Sequence, residues 1–439
     1  MFCIMTISEK NFDKIFNYFL ILISSMMIFR KPCTWLILMF ATFSLFFYKK
    51  IKHDKQSVLM MLIIAAPFLL EILFFWNNDS IKLGFKSMEK STSLLIFPLF
   101  IIGNYHRIHF FKTLRLYSII TIFLMLFFFI RFVFVFPEYL DKYLNGIDLW
   151  EMGYVFANSI GIHAPALNMH LAFVSILCLY FVFQDFKESD KWIVRLGSLI
   201  IFMFSFFFIL FVNTRMALFD ALLGFIVVFL YEIYRKYNFR TAFITFSSST
   251  LLLLGILYLF VQNNPYMKDK YSSVTFAHID KIGKLDEVKD PQIHVFNALV
   301  TRVSIWKSAW ELAVQEMPFG VGSADGKPEL VKYFKKTNQK FLAEYEFPTH
   351  NQYLDFLLKY GFLGFIVVIV YVGFIGYIGF KAQSAIIISF FILFLTSNLT
   401  DDFLIRFDGI AFSGFWLSMF ASYRLQKLRF ICKVSQVSS

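Results

Sequence analysis

Residues 192–212 read WIVRLGSLIIFMFSFFFILFV, and after Arg195 the stretch holds no further charge. A helix needs roughly 20 mostly apolar residues to cross the hydrocarbon core of a bilayer. The stretch therefore predicts one membrane-spanning helix. Reading outward with the same criterion finds runs at 14–30, 33–48, 57–76, 91–104, 111–136, 163–184, 214–234, 240–262, 362–380, 384–399 and 409–424, about twelve spans in all. The runs at 33–48 and 91–104 are short for the purpose.

The composition of the 439 residues agrees: 58% are hydrophobic and 16% charged, with a mean hydropathy of +0.65. Soluble chains hold about 45–50% apolar and about 25% charged residues. The expectation is an all-α polytopic membrane protein forming a single integral domain over 1–439, since neither an internal repeat nor a linker divides it. A formal charge of +12 would suggest nucleic acid in a soluble protein. Here most Lys and Arg lie in short connections between spans, so membrane lipids are the expected partner and nucleic acid is not. Cys3, Cys33, Cys178 and Cys432 are scattered without a pairing or metal-binding pattern. The first apolar run follows Ser8-Glu9-Lys10-Asn11 and reads as a retained span, not a cleaved leader.

Charge sets the orientation. Alternate connections carry Lys49, Lys50, Lys52 and Lys55; Arg107, Lys112 and Arg115; Lys187, Lys191 and Arg195; and Arg235, Lys236 and Arg240. The C-terminal tail adds Arg424, Lys427, Arg429 and Lys433. The opposite connections are poorer in cations, for example Arg30-Lys31 and a lone Arg406. Positive charge stays inside, so both termini are expected in the cytoplasm. The segment 263–348 and the starts of the spans at 163 and 214 are then expected outside.

That segment is the one long soluble-looking stretch. Over 301–314, Val303, Trp306, Trp310 and Leu312-Ala313 fit helical spacing and predict an amphipathic helix at the membrane surface. Pro318-Phe-Gly-Val-Gly322 breaks it, and a second helix is expected over 328–345. Candidate chemistry gathers around the same region. Arg215 opens a span on the outer side, against the usual charge bias, and Arg302 precedes Trp306 by one turn. A guanidinium keeps its charge and binds phosphate oxygens through two bonds at once. His350 stands where the loop re-enters the membrane and is the residue able to exchange a proton near pH 7. Asn351, Tyr353 and Asp355 follow it, then Gly361 and Gly364, whose lack of side chains suits close backbone packing. His163 and His170 share a helix face and suit packing or hydrogen bonding better than a metal. Asp401-Asp402 reads as a solvated turn, and Arg131 as a snorkelling side chain.

Taken in order, Thr214-Arg215, Arg302-x-x-x-Trp306, Pro318-x-Gly320-x-Gly322 and His350-Asn351 followed by Gly361-x-x-Gly364 resemble the O-antigen ligase and O-antigen polymerase family. The block Glu89 to Pro98 is similar to the family's fourth span, and the core of the resemblance covers 205–380. The resemblance implies a metal-independent, cofactor-free integral-membrane glycosyltransferase of the bacterial inner membrane, with 263–348 as a periplasmic loop. It implies a donor glycan on undecaprenyl diphosphate and an acceptor that is lipid A–core, for a ligase, or another carrier-linked repeat unit, for a polymerase. His350, Arg215 and Arg302 would be catalytic, with Trp306, Gly320, Gly322, Asn351 and Tyr353 binding substrate. The sequence departs from the family's pattern at Met216, where a small residue is common, and at Lys359-Tyr360, where an acidic residue often precedes the glycine. The second departure removes any acidic role next to Gly361. The polymerase is the rival within the family. A transporter or flippase with twelve spans is the rival outside it, although no repeated half supports that reading.

Overall fold

The computed structural model describes residues 8–145, 149–234, 278–296 and 298–437, together with isolated positions between 244 and 259. Among these residues the fold is all-helical. Apart from those isolated positions, the expected span at 240–262 and the first part of the expected loop, 263–277, lie outside the described residues.

Helices α1 (Glu9–Met26), α2 (Arg30–Phe46), α3 (Lys55–Leu73), α4 (Ile81–Ser91) and α5 (Ser93–Phe97) make up the first quarter of the chain. Local chemistry sets their starts. At α3 the Asp54 carboxylate accepts from the Ser57 backbone N–H at 2.8 Å, while the Ser57 hydroxyl accepts from the Asp54 N–H at 2.7 Å. This reciprocal cap satisfies two donors that a helix start leaves open. The expected run at 91–104 is not one regular helix. It divides into α5 and a wide turn at Pro98–Ile102, because proline removes a backbone donor and crowds the preceding turn.

Next come α6 (Phe110–Val135), α7 (Pro137–Leu144), α8 (Leu149–Ile160), α9 (Ala164–Glu188), α10 (Trp192–Val212) and α11 (Arg215–Tyr234). Among the described residues five helices are long and apolar enough to cross a membrane: α3, α6, α9, α10 and one later helix, Gln352–Ala382. At 1.5 Å per residue the shortest of them, α3, extends about 28 Å. Helix α9 is the centre of the bundle. It packs against α6, α10 and α11, and its residues from Ala166 to Leu179 are all buried. Helix α6 lies at the rim and leaves Phe123, Phe127, Ile130 and Phe134 exposed along one side, the pattern of a face turned to lipid.

The later chain forms a second layer. Single turns at Ile279–Lys281, Leu285–Glu287 and Pro291–His294 lead into α12 (Leu299–Gln315), α13 (Gly326–Lys336) and α14 (Lys340–Glu344). Their core holds Leu285, Val300, Ile305, Ala309, Leu330, Phe334 and Phe341, closed below by Leu357 and Leu358. Helix α12 matches the expected surface helix in position, but its most buried face is Val300, Thr301, Ser304, Ile305, Ser308 and Ala309. Trp310 is exposed and Trp306 half-buried. Packing on α13 and on the later helix Gln352–Ala382 buries small residues in place of the tryptophans, while Leu312 and Ala313 of the expected pattern are buried. The single helix expected over 328–345 is two, because Asn338 takes a left-handed backbone at φ 57° between α13 and α14.

The chain then enters α15 (Gln352–Ala382), α16 (Ala385–Thr400) and α17 (Phe407–Val437). Helix α15 starts ten residues before the expected span at 362 and bends at Gly361, where φ is 60° and ψ −150°. A Cβ there would lie 1.8 Å from the Pro318 carbonyl oxygen. The Pro318–Gly322 turn crosses the chain at this bend, and the Val321 and Gly322 amides donate to Leu358 O and Lys359 O at 2.9 and 3.0 Å. The close approach that the glycines led us to expect is therefore here. Asn77 and Asn78, after α3, hold the same turn through Gly320 O and Ala324 N at 2.8 Å each.

The basic connections meet at one end of the bundle. Glu9 pairs with Lys50 and with Arg107, Arg115 pairs with Asp185 at 2.7 Å, and Gln426 donates to Tyr105 O and Ile108 O. Helices α9 and α10 run from one end to the other, so His163 and Arg215 stand at the opposite end.

Candidate functional site

At that opposite end, α15 starts at a strained corner. His350 has φ 47°, a left-handed conformation uncommon for a residue with a side chain. Its neighbours hold it there. The Trp306 indole N–H donates to His350 O at 3.3 Å. Asn351 caps α15, its side-chain oxygen accepting from the Tyr353 and Leu354 amides at 3.0 and 3.1 Å. The Asn351 amide group donates to Leu399 O, and the Tyr353 hydroxyl donates to Leu395 O. These bonds lock the loop to α16 and aim the imidazole.

The imidazole meets Asp401, with His350 Nδ1 3.4 Å from Asp401 Oδ1. Asp401 also accepts from the Asp402 N–H at 2.9 Å. Burial works against its charge, but the hydrogen bonds of His350 and Asp402 and the charge of Arg406 outweigh it. They hold the Asp401 carboxyl well below the usual carboxylate range. Asp402 goes the other way: burial, then the adjacent Asp401 charge, push it well above that range. Of this coupled pair, Asp401 carries the charge and Asp402 the proton. An ionised carboxylate only accepts, so Nδ1 of His350 carries a hydrogen toward Asp401 and Nε2 is the ring nitrogen left to face a substrate. The expectation of a solvated turn at Asp401-Asp402 is thus corrected. Both residues are buried, because an imidazole, the Thr349 hydroxyl and nearby guanidinium groups replace water around them.

Cations surround this pair. The Arg302 guanidinium is drawn down from its ordinary value by burial, while Asp401, Tyr154 and Asp402 act to raise it and Arg215 to lower it. Arg302 therefore lies within electrostatic reach of Asp401 and of Arg215. Tyr154, on α8, feels Arg302, Asp401 and Arg215 together. Arg406 lies 2.8 Å from Nδ1 of His163. Partial desolvation, then the charge of Arg406, pull that imidazole down to about 4, so at neutral pH it is an uncharged acceptor.

The three residues named as catalytic from the sequence, Arg215, Arg302 and His350, thus stand in one electrostatic neighbourhood around Asp401. Arg215 is the first residue of α11, after Thr214, whose hydroxyl oxygen accepts from Asn168 at 2.8 Å. Trp306, Asn351 and Tyr353 contact the same corner, each through a hydrogen bond that positions backbone or helix. Gly320 and Gly322 are elsewhere: they pack on Leu358 to Gly361 and on Asn77, roughly two to three helical turns along α15 from His350. Sequence reasoning missed Tyr154, His163, Asp401 and Arg406 as members. The available signal was the pairing of Asp401-Asp402 with Arg406 in one short outer connection. His170, by contrast, is buried against Phe412 and contacts Asp408 O, a packing role.

His350, Asp401 and Asp402 offer three ligand atoms within 4.8 Å of one another. Arg302 and Arg406 already place positive charge beside these groups. The arrangement suits other chemistry. An imidazole with a free nitrogen can take a proton from a hydroxyl, and fixed guanidinium groups can stabilise an anionic leaving group.

A helical membrane protein with a cationic acid–base corner at one membrane face is the class that fold and site define. Residues 199–369 match the family model described as O-antigen ligase, so that region of the chain is similar to the O-antigen ligase family. No curated protein matches the chain. The match supports a membrane glycosyltransferase of O-antigen ligase or polymerase type. The matched region contains Arg215, Arg302, His350 and the Gly361 bend but ends before Asp401 and Arg406.

Proposed function

We propose that this protein is an O-antigen ligase: it transfers a finished glycan from undecaprenyl diphosphate to lipid A–core at the periplasmic face of the bacterial inner membrane. The observation that carries the reading is the His350 imidazole, oriented by Asp401, within one cluster with Arg302 and Arg215. In the transfer, an acceptor hydroxyl oxygen bonds to the anomeric carbon of the donor sugar, and the bond from that carbon to the diphosphate oxygen breaks. The electron pair leaves with the diphosphate, opposite Arg215 and Arg302. The hydroxyl proton goes to Nε2 of His350, and the resulting imidazolium faces the Asp401 carboxylate. Cleavage of the donor supplies the driving force, and neither a nucleotide nor a metal enters the scheme.

In this reading further helices beyond those five complete about twelve spans within a single domain over 1–439. Segment 263–348 forms the periplasmic loop, and 205–380 the core of the enzyme. Trp306, Asn351 and Tyr353 shape the acceptor side, and Gly320 and Gly322 act through the α15 bend. The placement of the basic connections at the far end supports the sidedness, since positive charge is retained on the cytoplasmic side.

The test is transfer of carrier-linked glycan to lipid A–core by the purified full-length protein. General-base assistance is worth about 10²–10⁴-fold, so His350→Ala is expected to lower the rate by that factor with unaltered yield. A wild-type rate in this variant would remove His350 from the mechanism. Transfer only to a second carrier-linked repeat, with lipid A–core left untouched, would make the protein a polymerase.

A further inference from the structure

Some turns along α15 from His350, a second charged cluster takes no part in the transfer chemistry. Helix α4 carries Lys82, Lys86 and Lys90 at spacings of four, so they form one stripe, and all three are exposed. The Lys90 ammonium lies within electrostatic reach of Lys359, Lys86 and Arg30, and of the Glu71 carboxylate. Glu71 is two residues from the end of α3, only 9% exposed, and faces Ser87 and Ser91 of α4. Its Oε2 has no hydrogen-bond partner among the described residues. Lys359 donates to Asp355 at 2.6 Å, and Thr349 links Asp355 to Asp402. The cluster is thus on the same face as His350 and joined to it by polar groups.

Glu71 and Asp355 face Lys86, Lys90 and Lys359 here, while Arg30 is shared with Asp408. Such an excess of like charge is unfavourable unless an anion joins it, and exposed Lys groups suit phosphate as point charges. The unpartnered Glu71 oxygen needs a donor, and a hydroxyl supplies one. Phosphate and hydroxyl together describe a phosphorylated sugar. Ile81, Leu83 and Phe85 of the same short helix are exposed, so α4 is an amphipathic element of the membrane surface, and the sugar is carried by a lipid.

We propose that the α3–α4–α15 cluster of Glu71, Lys86, Lys90 and Lys359 binds the phosphorylated sugar headgroup of the acceptor lipid and presents its free hydroxyls toward His350. The assignment of this lipid as acceptor rests on the glycan-transfer reading; the binding site itself does not.

Two measurements test it on the full-length protein in detergent. Native mass spectrometry compares retention of diphosphorylated lipid A, the same lipid after phosphatase treatment, and phosphatidylglycerol. The wild type is expected to hold the diphosphorylated lipid about tenfold more tightly than either competitor. The surface variant Lys86→Gln/Lys90→Gln is expected to lose that preference and His350→Ala to keep it. Equal retention of the phosphatase-treated lipid, unchanged binding by the double variant, or equally tight phosphatidylglycerol would each overturn the site. In the transfer assay the double variant should raise KM for the acceptor about tenfold, leaving kcat and the donor KM alone. Phosphate-dependent binding without any glycan transfer by the wild type would instead overturn the acceptor role and the ligase reading, and leave the lipid site standing.

Discussion

His350 shows how a single side chain acquires a role from its surroundings. Its corner is held by an indole N–H on its own carbonyl and by the Asn351 cap, and its Nδ1 is turned to Asp401. Asp401→Asn keeps the shape and removes the charge that faces the imidazolium. We expect transfer to fall by about 10²-fold or more, within the range of general-base effects, while affinity for the donor is unchanged. Equal kcat in wild type and variant would sink the pairing. His163 gives a second prediction at this scale. Its folded form resists protonation down to about 4, against an ordinary value near 6.5. Between those values the unfolded chain binds more protons than the folded one, so this group makes stability rise with pH across about 4–6.5. Below and above that window its contribution is flat. Melting temperature in detergent should therefore climb with pH through the window, and less steeply in His163→Gln.

At the scale of elements, the bend of α15 positions both charged clusters. Gly361 takes a backbone conformation reserved for glycine and leaves no room for a Cβ beside Pro318 O. Gly361→Ala should cost at least about 2 kcal/mol, from strain and overpacking together. The readout is the fraction of protein that remains monodisperse after a heat step. Gly373, in the same helix with open space around it, is the control, and alanine there should change nothing. The glycine pair before the late span was legible in sequence as close packing, and it is. The loop helices were legible in position only. Which face of α12 is buried depends on α13 and α15, both later in the chain, and periodicity alone favoured the tryptophan face instead.

For the whole molecule, the charge of the connections and the location of the site make one statement about sidedness. A cysteine introduced as Lys335→Cys, in α13, is expected to react with a membrane-impermeant maleimide added to intact spheroplasts. Lys52→Cys, at the basic end, is expected to react only after the membrane is opened. Reversal of that pattern would place the acid–base corner in the cytoplasm and end the ligase reading.

The sequence by itself determined the helical membrane class, the end of the bundle at which Arg215 and His350 stand, and the order of motifs that signals the family. All three follow from local quantities: apolar run length, the sign of charge in short connections, and residue spacing. Only the tertiary structure decided that Asp401, Tyr154, His163 and Arg406 join the site, and that Glu71 and Lys90 meet Lys359. These groups come from segments tens to hundreds of residues apart, and the cost of removing a carboxylate from water is offset only once its partners have been folded around it. No window of sequence contains those partners, so the same Asp401-Asp402 that reads as a wet turn in isolation becomes a buried acid pair in the bundle.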